Sequence, residues 1–286
     1  MALKFWTRML EWYQRRPSWL RFTVLDPVLI GILLLSGCVL LYRLADPEGS
    51  LIFDESYYVQ MARVILGWPV LPEHLPENLY SGCDPNSEHP PLAKLIMAAG
   101  MSVFADNATG WRLPSVILGL CGVVSVYSIV LSLGGSLTTA RLSSFILAFD
   151  NLYFVHSRIA TLDIYMVSFS LVGVALYFRG RYEFAGLAFG LATVCKINGL
   201  LWVFALFLYE GGMAVYRYWV QRSASGEETE LPVGGNWWGL GLAFGFWVTF
   251  GFLALGAMDC YFTEFQGPFA HVRFIFGYGT SLSREA

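Results

Sequence analysis

Seven apolar runs, at 27–44, 113–133, 142–157, 162–178, 183–196, 198–215 and 237–257, decide most of what this chain can become. A helix needs roughly 20 apolar residues to cross a bilayer, and inside lipid every backbone polar group must be satisfied within the segment. The expected class is an all-α polytopic membrane protein with about seven transmembrane helices, which excludes a single soluble core. Composition agrees, since only 14% of the 286 residues are charged and mean hydropathy is +0.55. Soluble domains carry about a quarter charged residues. Lys196, Asn198 and Gly199, in "VCKINGLL", interrupt what would otherwise be one run from 184 to 209. That spacing predicts a bend between two shortened helices, tolerated where backbone lines a cavity or packs on protein.

Orientation follows from basic residues in short loops. Lys4, Arg8, Arg15, Arg16 and Arg21 place the N-terminus in the cytoplasm, and Arg141, Arg179, Arg181, Arg217 and Arg222 then fall in cytoplasmic loops. Residues 1–24, with Trp6, Trp12 and Trp19, read as an interfacial amphipathic helix. Residues 25–257 form the transmembrane module, and 258–286 an outer-face tail. The outer loop, 45–112, holds Asp46, Glu48, Asp54, Glu55, Glu73, Glu77, Asp84 and Glu88 before residue 91, opposed there by Arg63. Two surface helices are expected within it. One is 54–66, with Tyr57, Met61, Val64 and Ile65 at helical spacing, and the other is 92–105, too short to span. A Pro- and Gly-rich loop joins them. No basic tract suits nucleic acid. Cys38, Cys121 and Cys195 sit in apolar runs as small hydrophobes. Cys83 and Cys260 fall outside the expected spans, where pairing requires an oxidising compartment.

Charge is rare here, so the acidic and basic side chains near the membrane surface are the candidates for chemistry. Asp54 and Glu55 open a surface helix, either to cap it or to act as general base or metal ligand. "EHPPLAK" gathers Glu88, His89 and Lys94 around a helix start. A carboxylate, an imidazole and an ammonium so placed suit an anionic headgroup. "FDNLYFVHSRIATLD" carries Asp150, His156, Arg158 and Asp163 at the outer ends of two spans. Arg158 either pairs with one of the two aspartates or lines a polar site. Arg112 either snorkels or binds phosphate, and Lys196 lies deep enough to need a partner or water.

The blocks "FDESYY", "HPPLAKL", "WRLPSVILG", "FDNLYFVHSRIATLD" and "GLAFGLATVCKINGL" occur in this order. Together they resemble the protein O-mannosyltransferases, and more broadly the GT-C membrane glycosyltransferases that use polyprenyl-phosphate sugars. The resemblance covers about residues 25–215. It implies inverting transfer of mannose or a similar sugar from a polyprenyl- or dolichyl-phosphate carrier to a hydroxyl of a protein, lipid or glycan, at the outer membrane face. It matches Asp54 and Glu55 to the catalytic acidic pair, with Asp54 as base. His89 and Arg112 are implied at the carrier phosphate, where the residue pattern itself also places Lys94 and Arg158. Asp150 and Asp163 are implied in support, and Lys196 is expected to support the site with them. Glu88 matches the ligand of a possible divalent metal. Members of the family normally continue for several more spans, so the sequence resembles their N-terminal module. A second polypeptide supplying the other half, or a non-catalytic assembly partner that keeps the module, are the alternatives. A transporter would show paired broken helices in two halves, and only one break is evident.

Overall fold

A computed structural model describes residues 26–47, 49–70, 84, 86, 88–223 and 236–262. Its ten helices among these residues are α1 (Pro27–Leu41), α2 (Glu55–Leu66), α3 (Leu92–Phe104), α4 (Ala108–Ser132), α5 (Leu137–Phe149), α6 (Asn151–His156), α7 (Leu162–Phe178), α8 (Tyr182–Cys195), α9 (Leu200–Ser223) and α10 (Trp237–Phe262). The described residues contain no strand. The expected interfacial helix at 1–24 and most of the tail lie outside them. The helices Ala108–Ser132, Ile197–Trp219 and Trp237–Tyr261 are long and apolar enough to cross a membrane. The other four expected spans fall on shorter apolar helices.

Core contacts set the helix directions. Leu29, Tyr127 and Ala140 share one cluster, and Ile32, Val123 and Ala148 share the next, so α4 runs antiparallel to α1 and α5. At Gly186 of α8 a β-carbon would fall 2.4 Å from the Ala243 carbonyl oxygen, and Gly190 sits against Phe250, so α8 and α10 run parallel in close contact. One end of the bundle is covered by α2 and α3. The largest core lies beneath them, where Val59, Ala62, Met97, Met101 and Trp111 meet Leu162, Tyr165 and Cys195. The surface layer is therefore fixed to the helices beneath it by packing.

Local sequence explains the layer. Gly67 ends α2 with φ 68°, a left-handed cap that favours glycine. Trp68 N–H closes back on the Arg63 carbonyl at 2.9 Å. At Gly100 a β-carbon would meet the Gly110 carbonyl at 2.6 Å, so this glycine lets α3 lie directly on the first turn of α4. Asn107, the first residue of an Asn-Ala-Thr sequon, caps α4 by accepting from Gly110 N–H at 3.1 Å.

Three expectations change. The run at 142–157 is two helices, because Asp150 is extended (φ −62°, ψ 130°) and its carboxylate accepts from Tyr153 N–H, starting α6 instead of prolonging α5. The buried face of α2 is carried by Tyr58, Met61, Ala62 and Val64, while Tyr57 is turned outward with its hydroxyl held by Asn86. Cys260 lies inside α10 as a free thiol, and Cys83 lies outside the described residues. The break at Lys196 is present: Lys196 is extended (φ −154°, ψ 130°), and a 3-10 turn over Ile197–Gly199 leads into α9.

Candidate active site

The acidic pair opening α2 divides. Glu55 is fully buried and its two oxygens accept four bonds. Arg112 Nε reaches Oε1 at 2.7 Å and Arg112 Nη2 reaches Oε2 at 2.7 Å. Ala160 N–H reaches Oε1 at 2.8 Å and Ile52 N–H reaches Oε2 at 3.0 Å. Asp54 occupies the N-cap position of α2 but makes no side-chain capping bond. Its carboxylate is exposed, with no hydrogen bond or ion pair among the described residues. Beside it Phe53 holds a left-handed φ of 53° and projects outward, 72% exposed. A strained non-glycine residue next to a free acid is the kind of cost that recurs at functional sites.

Two cations expected at a phosphate are bound to protein oxygens. A guanidinium has five N–H donors, and Arg112 spends all five: on Glu55 twice, on the carbonyls of Leu44 (2.8 Å) and Asp46 (3.0 Å), and on that of Ser50 (3.3 Å). It does not snorkel, since its side chain is 1% exposed. Instead it ties the loop after α1 to α4. Lys94 is also fully buried, paired with Asp84 and bonded to Asn86 Oδ1 (3.0 Å) and the His89 carbonyl (2.8 Å). Burial pushes its ammonium pKa down while Asp84 pulls it back up. Glu55, Arg112 and Lys94 thus hold the surface layer in place through buried bonds to protein oxygens and amides.

Other side chains remain accessible at this end. Lys196 Nζ donates to Asp163 Oδ1 at 2.7 Å, and both side chains are partly exposed. Arg158 gives Nη2 to the carbonyls of Tyr42 (2.8 Å) and Arg43 (3.2 Å) and lies 5.6 Å over Phe154, so it pairs with neither Asp150 nor Asp163. His156 Nδ1 lies 3.0 Å from the Thr161 hydroxyl. His89 is half-buried, its ring centroid 6.4 Å from that of Tyr58. Burial lowers the His89 pKa, and Lys196 and Lys94 lower it further. Burial raises the Tyr58 pKa, with further upward pushes from Asp54, Asp163 and Glu88. These two rings therefore stand amid Asp54, Glu88, Asp163 and Lys196.

Glu88 is exposed, and among the described residues no three His, Cys, Asp or Glu side chains gather as a metal site. Sequence reasoning passed over Tyr58, Asp84, Asn86 and the buried Asp259, which acts on Lys94. The "DPN" at 84–86 reads as an ordinary turn, and nothing local marks Asp84 as a partner for Lys94.

Residues 88–224 match the family described as dolichyl-phosphate-mannose-protein mannosyltransferase. The polyprenol-phosphate-mannose–protein mannosyltransferase of Mycobacterium tuberculosis is 32% identical over 126 residues, covering 42% of this chain and 22% of that protein. Its counterpart in Corynebacterium glutamicum is 30% identical over 130 residues, covering 44% and 24%. The chain thus spans less than a quarter of these relatives' length. The S. cerevisiae protein O-mannosyltransferase Pmt1–Pmt2 complex, solved with its sugar donor, superposes with a TM-score of 0.58 at 18% identity, over 84% of this chain and 37% of that one. The chain is an O-mannosyltransferase-like membrane protein of the GT-C fold.

Proposed function

We propose that this chain transfers mannose from a polyprenyl-phosphate carrier to a hydroxyl of an acceptor protein, with inversion at the anomeric carbon and Asp54 as general base. The observation that carries the reading is the division of the acidic pair, which leaves Asp54 exposed beside a buried, saturated Glu55–Arg112 pair. The donors and acceptors in the names of the similar proteins give the substrate class.

In the reaction the acceptor oxygen forms a bond to the anomeric carbon, and the bond from that carbon to the phosphate oxygen breaks. The electron pair leaves with the phosphate, and the acceptor's proton passes to Asp54. A positioned base contributes about 10²–10⁴-fold to such a step. Cations at the departing phosphate stabilise the charge that develops there. The site's place at the end of the bundle lets a lipid tail stay in the bilayer while the sugar meets water. We assign that end to the outer membrane face, from the basic loops at the other end. The similar yeast enzyme is a two-chain complex, and a second polypeptide completing the site belongs to the same reading.

The test is transfer from radiolabelled polyprenyl-phosphate mannose to a Ser/Thr peptide in nanodiscs, with and without such a partner. Wild type should transfer, giving a product of opposite anomeric configuration. Asp54→Asn should keep its thermal midpoint and lose at least about 100-fold of the rate. An Asp54→Asn protein as active as wild type would remove Asp54 from the chemistry. No transfer by wild type under any pairing would end the enzymatic reading in favour of an assembly role.

A further inference from the structure

At the end of α2 opposite Asp54, the surface layer holds a cleft of about 500 Å³. It is lined by Trp68 and Pro69, which follow α2, by Met101, Ser102 and Val103 near the end of α3, and by Asp106. That size is ordinary for a ligand site. With 12 residues in α2, at 1.5 Å each, the cleft lies roughly 20 Å from Asp54. Its wall is held in place. Ala105 has φ 69° and ψ 174°, a region that is almost glycine's alone. The Ala105 carbonyl accepts from Asn107 N–H at 3.0 Å, and a β-carbon at Gly110 would fall 2.2 Å from that oxygen. The turn from α3 into α4 is thus fixed by its neighbours, and a preformed site loses little on binding.

The lining suits a neutral ligand that carries amides. Asp106 is the charged residue of the lining. Arg63 offsets it by donating to both oxygens, at 2.9 and 3.1 Å, and Trp111 Nε1 donates to one of them at 2.7 Å. An ionic headgroup therefore meets no net charge there. Trp68 is half-buried, and its indole N–H has no acceptor among the described residues. Ser102 gives its hydroxyl hydrogen to the Ala98 carbonyl at 2.9 Å, which leaves its oxygen as an acceptor. One spare donor and one spare acceptor match the C=O and N–H of a peptide unit. Pro69, Met101 and Val103 add apolar surface for a side chain. A lipid tail would use that surface and leave both polar groups unpaired.

Resting on the transferase reading above, we propose that this cleft docks the acceptor polypeptide, taking an apolar side chain about six residues from the hydroxyl to be modified. An extended chain covers at most about 3.3–3.6 Å per residue, so about six residues reach from Asp54 to Trp68. Contacts so far from the reacting atoms are the same before and during transfer, so they act on acceptor KM and leave kcat alone.

The experiment measures binding of fluorescein-labelled peptides to the full chain in nanodiscs, beside the acceptor KM and kcat of transfer. Each peptide has one threonine and one leucine, spaced two, six or ten residues apart in either order. The six-residue spacing should bind about tenfold more tightly than the others, with KM lowered in parallel. Trp68→Ala should erase that advantage while kcat and donor KM stay as in wild type. Val103→Asp should erase it too, by setting a charge in the cleft. Val103 is 73% exposed, so this variant should fold as wild type. A benzophenone amino acid in place of Val103 should crosslink to the bound peptide. Equal binding at all spacings, an advantage that survives both variants, or capture of lipid or of the chain itself in place of peptide would overturn the assignment. Wild type that binds the six-spaced peptide through Trp68 but transfers mannose to no peptide would remove the transferase reading and leave the docking site standing.

Discussion

Replacing Glu55 by Gln tests the division of the acidic pair most directly. The carboxylate is fully buried and accepts from Arg112 twice, from Ile52 and from Ala160. A glutamine has one carbonyl oxygen and one NH2, so whichever way it turns, its amide hydrogens face donors. The Arg112 charge is also left without its counter-ion in a buried site. Breaking one side of a buried pair costs about 3–5 kcal/mol, which for a chain of this size lowers a thermal midpoint by roughly 10 °C. Asp54→Asn removes a carboxylate that is exposed and unbonded, and surface changes of that kind stay within about 0.5 kcal/mol. Thermal unfolding in nanodiscs, followed by tryptophan fluorescence, should therefore separate the neighbours: Glu55→Gln melts early, while Asp54→Asn melts with wild type. Adding Arg112→Met to Glu55→Gln should recover part of the loss by removing the stranded charge. Recovery stays incomplete because the carbonyls of Leu44, Asp46 and Ser50 lose their donor. A Glu55→Gln protein as stable as wild type would refute the reasoning, as would an Asp54→Asn protein that melts early.

Lys94→Met should cost about 3–5 kcal/mol by stranding Asp84, and hydrogen exchange should rise at 84–91 and in α3. The depressed pKa of His89 means the folded chain disfavours the imidazolium. Stability should accordingly fall as pH drops from about 6.5, the unfolded value, toward the lower folded one. His89→Asn should flatten that acid limb of the thermal midpoint against pH. Gly186→Ala should separate α8 from α10 at a cost of about 1–3 kcal/mol, because its new carbon meets backbone at Ala243. Gly241→Ala, on the same helix pair but facing open space, should be neutral or gain up to about 1 kcal/mol in the same unfolding assay.

Much of this architecture is legible in the sequence because hydrophobic length and helical period are local properties. The surface helices and the break at Lys196 follow from runs that are too short, or too long with a charge inside. The α5–α6 division was hidden because Asp150 sits in an apolar context and its capping bond to Tyr153 depends on backbone conformation. The site was readable as a set of charged residues but not as roles. Arg112 and Lys196 look alike in sequence, each a cation at the edge of an apolar run. Only the folded chain distinguishes five satisfied donors from one, since the acceptors of Arg112 come from residues 44 to 55. Tyr58 likewise stood beside Tyr57 with nothing to tell them apart until α2 was rotated onto the bundle.

Glu55 has one more consequence, for biosynthesis. Its partners emerge from the ribosome in sequence: Arg112 follows by 57 residues and the Ala160 amide by 105. At translation rates of about 5–20 residues per second, the last of them arrives roughly 5–20 s after Glu55 itself. During that interval the nascent loop after α1 carries an acid that is destined for the interior but still hydrated. The final closure of the surface layer must therefore wait until the chain has been made as far as Ala160, just before α7, so this layer is among the last parts of the fold's first half to lock.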